Sequence, residues 1–165
     1  MDVGARAVSY CRRPGFQRRG KGRGTMSIEK NRQVIVEYFA AVNRGDKDAI
    51  LMLLADDFVF KGMGRHPDWM RYQWGREAFA DAPRDMSTKM KQPIVMHLLG
   101  MIAEDDRVAV QADSYAEMKN GKIYDNAYHF VFTFEHDKIR EVLEYCCTYT
   151  VFDVFGEHID PARTG

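Results

Sequence analysis

Between Val34 and Val42 apolar side chains at 34, 35, 38, 39 and 42 share a single helical face. The pattern predicts a helix over residues 28–44, ended by Gly45, a residue that readily closes a helix. Asp46 is placed to cap a second, shorter helix running through Leu54, followed by an extended stretch at 57–60. Residues 61–74 have the composition of a loop, with Gly62, Gly64 and Pro67, yet carry His66, Trp69, Tyr72 and Trp74. A third helix is expected over 76–82, stopping before Pro83.

From Gln92 the period changes from that of helices to that of strands. Segments 93–103 and 107–118 flank an acidic turn, Glu104-Asp105-Asp106. Asn120-Gly121 is a two-residue hairpin signal ahead of 122–135, and His136-Asp137 turns the chain into 138–149. Helices first and a meander of long antiparallel strands afterwards define an α+β domain rather than alternating βαβ units. One domain is expected over 26–160, followed by a short polar tail at 161–165.

Charge changes the picture at the start of the chain. The 165 residues carry no net charge, but residues 1–25 hold seven basic side chains against Asp2 alone. This stretch is rich in Gly and Arg, lacks helical period and is expected to be a disordered basic extension. Its electrostatics would suit nucleic acid, but Met26-Ser27-Ile28-Glu29-Lys30 reads like a protein start, so the fold is expected to ignore it. Binding of nucleic acid is not expected. No apolar stretch is long enough to span a bilayer, so no membrane association is expected. Three cysteines (Cys11, Cys146, Cys147) form no disulfide framework, which fits a reducing, cytoplasmic setting. The five histidines show no paired spacing for a metal.

Candidate chemistry comes from polar residues on apolar faces. Tyr38 sends a hydroxyl into the inward stripe of the first helix, where it needs a partner or a ligand. Alternation groups Ala109, Gln111, Asp113 and Tyr115 on one face of the second strand, with Val108, Val110, Ala112 and Ser114 on the other. It groups Asn126, Tyr128, Phe130, Phe132 and Phe134 on the third strand, and Val142, Glu144 and Cys146 on the last. Alternation alone leaves open which face of the second strand is concave. With Val108 and Val110 as its core face, Asp113 would sit in water. Trp69, Tyr72, Trp74, Tyr115, Tyr124, Tyr128 and Phe130 supply enough aromatic surface to surround a ring compound.

The run from Val34 to Ala55-Asp56-Asp57 resembles the opening of the ketosteroid isomerases and SnoaL-like proteins, and the likeness extends over roughly 28–155. It implies the cone-shaped NTF2-like fold, with three N-terminal helices on a curved antiparallel sheet that encloses a pocket, and a homodimer paired through the sheet. In the isomerases a tyrosine at the place of Tyr38 donates to the oxyanion of a dienolate. Spacing from the turns is similar to that of the limonene-epoxide-hydrolase branch, whose Asp-Arg-Asp arrangement corresponds to Asp113, Gln111 and Glu144 here. The aspartate base of steroid isomerases falls in the register of Gly62, and their pocket acid at Tyr128 or His129. The Glu-Tyr-x-Asp-Thr pattern of SnoaL-like relatives becomes Glu144-Tyr145-Cys146-Cys147-Thr148.

These departures argue against steroid-isomerase chemistry and weaken epoxide opening. The resemblance implies a lyase or isomerase that needs no cofactor and acts on an apolar, aromatic or polycyclic, oxygenated small molecule. Asp113 and Glu144 would share acid–base work, with Tyr38 and Tyr128 stabilising charge on oxygen. Gln111, Asn126, Trp74, Tyr115 and His66 would bind substrate. The alternatives are a non-catalytic small-molecule-binding or dimerisation module and an epoxide-hydrolase-like enzyme.

Overall fold

The computed structural model describes residues 28–156. The basic extension and the last residues lie outside them. The elements, in order, are α1 (Ile28–Arg44), α2 (Lys47–Leu53), β1 (Leu54–Gly62), a 3-10 turn (Asp68–Met70) and β2 (Gln73–Gly75). They continue with α3 (Arg76–Ser87), β3 (Val95–Glu104), β4 (Arg107–Glu117), β5 (Ile123–Glu135), β6 (Lys138–Cys146) and α4 (Thr148–Phe155). Gly45 closes α1 with φ +62°, and the Asp46 carboxylate accepts the Ala49 amide at 3.0 Å to cap α2.

Six strands form one curved sheet in the order β2-β1-β6-β5-β4-β3. The last four strands make the expected meander, but β1 joins β6 in parallel, so the sheet is mixed rather than wholly antiparallel. Helices α1 to α3 cover its concave face. Asn43 fastens α1 to β3 by donating to the Met96 carbonyl at 2.9 Å and accepting its amide at 2.8 Å. Between the layers Val34, Ile35, Tyr38, Phe39 and Val42 pack on Val108, Val110, Phe130 and Phe132, all of them buried.

Three elements depart from the sequence reading. Helix α3 runs through Pro83 to Ser87. Proline forfeits one helical hydrogen bond, but the far turn is held by the Arg84–Asp81 ion pair at 2.8 Å and by Ser87 Oγ donating to the Pro83 carbonyl. The last strand stops at Cys146, and 148–155 form a helix despite a run of β-branched and aromatic residues. Val151, Val154 and Phe155 lie at i, i+3 and i+4, and pack on a second apolar cluster that includes Met90, Ile94, Met118 and Tyr124. Among the described residues no helix is long and apolar enough to cross a membrane.

The third departure is the one that matters for function. The β4–β5 turn holds three residues, not two: Met118 and Lys122 close it, and Gly121 takes φ +87°. One residue of register moves a strand's side chains to its other face. Ser114 therefore stands opposite Asn126 and Ala112 opposite Tyr128, facing inward, while Asp113 stands opposite Ala127.

Candidate functional site

The concave side of the sheet and the helices enclose a cavity of about 440 Å³. Tyr38, Val42 and Ile50 from α1 and α2 line one side, and Phe60, Tyr124, Tyr128, Phe130 and Glu144 from the sheet line the other. Trp69, Met70, Tyr72 and Trp74 close one end, while α3 and α4 contribute Phe79, Met86, Val151 and Phe155, with Lys89 from the turn after α3. The walls are largely aromatic. Of the two lining carboxylates, Asp85 sits on an exposed turn of α3 and Glu144 projects inward from β6.

Glu144 is the chemical centre. Its Oε1 accepts the Tyr72 hydroxyl at 2.7 Å. Burial pushes its carboxyl above the usual carboxylate range, outweighing the Tyr72 hydroxyl and the Cys146 thiol, which pull it down. Cys146 answers in kind, its thiol pushed up to about 12 by burial and by the neighbouring Glu144 charge. A carboxyl lifted in this way binds a proton more readily than a solvated one and can exchange it with a ligand.

The Tyr72 contact depends on a glycine. A Cβ at Gly62 would fall 2.5 Å from Tyr72 Cε1 and 2.6 Å from Cζ, so the bare backbone of Gly62 makes room for the ring. The Gly62 amide also donates to the Tyr72 carbonyl at 2.9 Å. The space that a side chain at residue 62 would take is thus filled by a tyrosine ring from the next loop. Tyr72 then stacks on Trp74 with centroids 4.9 Å apart.

A second polar group lines the sheet wall. Tyr128 shares hydrogen bonds with Tyr124 at 2.7 Å and with Ser114 at 3.1 Å, and Asn126 donates to the Tyr124 hydroxyl at 3.1 Å. Burial raises all the cavity phenols well above their ordinary range, so each keeps its proton and can donate. Tyr38 differs from the rest. It packs between Phe79 and Phe132, and its hydroxyl has no hydrogen-bond partner among the described residues. It opens on the cavity, available to a ligand.

The structure thus brings together Glu144, Tyr38, Tyr128 and Trp74 from the sequence-derived set. Asn126 is fully buried and stands behind the wall, where its carbonyl oxygen accepts the Ala127 and Cys147 amides. Asp113, Gln111 and Tyr115 are corrections. The three-residue turn puts all of them on the outer face of the sheet, so Asp113 and Glu144 do not share a pocket. Asp113 instead meets His97 at 2.7 Å, with both side chains about half exposed. His66 is exposed in its loop and does not line the cavity. Asp113→Asn should therefore change stability by less than about 0.5 kcal/mol and leave ligand binding in the cavity unaltered. A loss of binding in that variant would return Asp113 to the site.

Tyr72, Tyr124 and helix α4 are the main additions. Both tyrosines stood out as aromatic pocket candidates, but the Tyr72–Glu144 contact spans 72 positions. The motif around Gly62 hinted at it only as a missing base.

Comparison with known proteins agrees with this fold. Residues 35–142 match the model of the SnoaL-like domain family, and the chain belongs to it. Bal32a, from a soil-derived mobile gene cassette, is 26% identical, with a TM-score of 0.66 over 78% of this chain and 97% of that one. An NTF2-like protein from Burkholderia xenovorans LB400 is 24% identical, with a TM-score of 0.61 over 78% of this chain and 97% of that one. An LEH-like epoxide hydrolase from M. tuberculosis is 17% identical, with a TM-score of 0.61 over 76% of this chain and 88% of that one. The last two likenesses are of fold. No curated protein matches the chain.

Proposed function

We infer that the cavity is an acid–base site for an apolar, aromatic or polycyclic, oxygenated small molecule, and that the chain is a lyase or isomerase working through its own side chains. The observation that carries this reading is the Glu144 carboxyl, half-buried in the wall of an aromatic cavity and held by one phenol. In its ionised form Glu144 takes a proton from carbon next to a carbonyl. The unpartnered Tyr38 hydroxyl, or that of Tyr128, donates to the oxygen on which charge develops. Protonated Glu144 then returns the proton to a different atom, giving isomerisation, or assists loss of a leaving group. One positioned base supplies about 10²–10⁴-fold and one oxyanion donor about 10²–10³-fold, enough for a modest enzyme.

Epoxide-hydrolase chemistry is the poorer fit, because Asp113 and Gln111 do not reach the cavity. The expected pairing of two copies through the sheet is supported by exposed Leu99, Ile102, Tyr115 and Tyr145 on its outer face.

Exchange of the α-protons of 2-tetralone in deuterated buffer tests the acid–base reading. The wild-type chain should accelerate exchange, and Glu144→Gln should abolish the acceleration. Tight binding of the ketone without any exchange would favour a binding module instead. Tyr38→Phe should fold normally and lose at least about tenfold in exchange rate, the scale of a hydrogen bond to a charged oxygen. Unchanged kinetics in that variant would reduce Tyr38 to packing.

A further inference from the structure

A second concavity, of about 460 Å³, lies on the other side of Tyr72. Its lining includes Lys61, Gly62, Gly64, Arg65, Arg71 and Tyr72, so three cations and no acid face it. Lys61 is neutralised by Glu141 at 2.6 Å. Arg65 and Arg71 are exposed, and neither forms an ion pair among the described residues. Two guanidinium groups are thus left facing one groove. Guanidinium is the side chain best shaped to hold a carboxylate or phosphate through paired N–H donors.

The groove is coupled to the cavity by construction. Gly62, on the groove side, stands directly beside Glu144 in the β1–β6 register, and adjacent strands lie about 4.8 Å apart. The Met63 amide donates to the Glu144 carbonyl at 2.9 Å. Tyr72 belongs to both spaces, and its hydroxyl reaches Glu144 at 2.7 Å. The Tyr72 ring is thus the wall common to the two spaces.

We propose that the groove is the anion subsite of the same ligand, so that the substrate is an aromatic or polycyclic body bearing a flexible arm that ends in a carboxylate. The body lies in the cavity beside Glu144, and the arm passes Tyr72 to end between Arg65 and Arg71. This rests on the reading of the cavity as a small-molecule site and adds the charge of its ligand. Fixing the arm also orients the ring relative to Glu144, which a purely apolar cavity does poorly.

The test uses two fluorescent probes with one body, 1-pyrenebutyrate and the neutral 1-pyrenebutanol. The wild-type chain should bind the acid at least about fivefold more tightly than the alcohol, with a preference that shrinks as salt is raised. In Arg65→Gln/Arg71→Gln that preference should vanish while alcohol binding stays unchanged, which also reports that the variant is folded. In Arg65→Glu/Arg71→Glu it should reverse. Equal affinities in the wild type, or a preference that survives in the double variant, overturn the anion subsite and leave the cavity reading intact. If neither probe binds the wild-type chain, the cavity reading fails and takes the subsite with it.

Discussion

Glu144→Gln should melt higher than the wild-type chain at neutral pH while losing its acid–base function. The direction follows from the raised carboxyl. In the unfolded chain Glu144 titrates near the ordinary value of about 4.3, and in the fold burial lifts it above that. Below the unfolded value both states are protonated and the fold bears no penalty. As pH rises toward the folded value, the unfolded state releases its proton first, and the fold loses about 1.4 kcal/mol for each unit of the shift. Above the folded value the deficit is complete and constant.

Glutamine keeps the shape and still accepts the Tyr72 hydroxyl, but never carries the buried charge. The gain of the variant should thus be negligible at acid pH and grow through the weakly acid range. At neutrality it should be at its largest, read as a higher melting temperature of the variant. Exchange activity should fall by at least about 10²-fold. The wild-type rate should rise with pH through the same lifted titration, because only the carboxylate is a base. Thermal unfolding of both proteins across that pH range is the measurement. A stability difference that does not depend on pH would place Glu144 in solvent and remove the basis for its role.

Most of the scaffold was legible because it is local. The stripe from Val34 to Val42, the stop at Gly45 and the Asp46 cap need only a few neighbouring residues to be read. The His136-Asp137 hairpin likewise sits in a two-residue turn with φ +48° and +66°. Alternation also grouped Tyr128 with Phe130, and Glu144 with Val142, on the faces where the structure puts them. What alternation could not supply was absolute phase on β4. Asn120-Gly121 reads as a two-residue turn but ends a three-residue one in the structure, and the difference inverts Asp113 and Gln111. The buried outcome follows from packing: Val108, Val110 and Ala112 are the face that fits under α1. Helix α4 was obscured for another reason, since its strand-forming residues are overridden by an apolar face that the second cluster needs. The Tyr72–Glu144 bond is a long-range contact with no sequence period at all.

Gly62→Ala should destabilise the fold and disturb Glu144 together, a combination that a surface glycine would not give. At a position without positive φ, adding a methyl to glycine ordinarily stabilises by about 0.4–1 kcal/mol through the unfolded chain. Here the new Cβ would meet Tyr72 Cε1 at 2.5 Å and the Met70 carbonyl oxygen at 2.9 Å. The carbonyl is backbone and yields little. The ring is held by stacking on Trp74 and by Phe60 at 5.9 Å, so it too gives way only at a cost. Overpacking of this kind costs about 1–3 kcal/mol and should outweigh the backbone gain. Moving the ring also draws its hydroxyl away from Glu144, removing a donor that lowers the carboxyl's pKa. The pH midpoint of exchange should therefore move upward, as it should in Tyr72→Phe, where the donor is deleted without a clash. Denaturant unfolding of Gly62→Ala, Tyr72→Ala and the double variant isolates the contact. The penalty of Gly62→Ala should shrink once the ring is gone, because only the contact with the Met70 carbonyl oxygen then remains. A neutral or stabilising Gly62→Ala in the wild-type background would mean that Tyr72 does not sit against Gly62, and that Glu144 is not held in place through it.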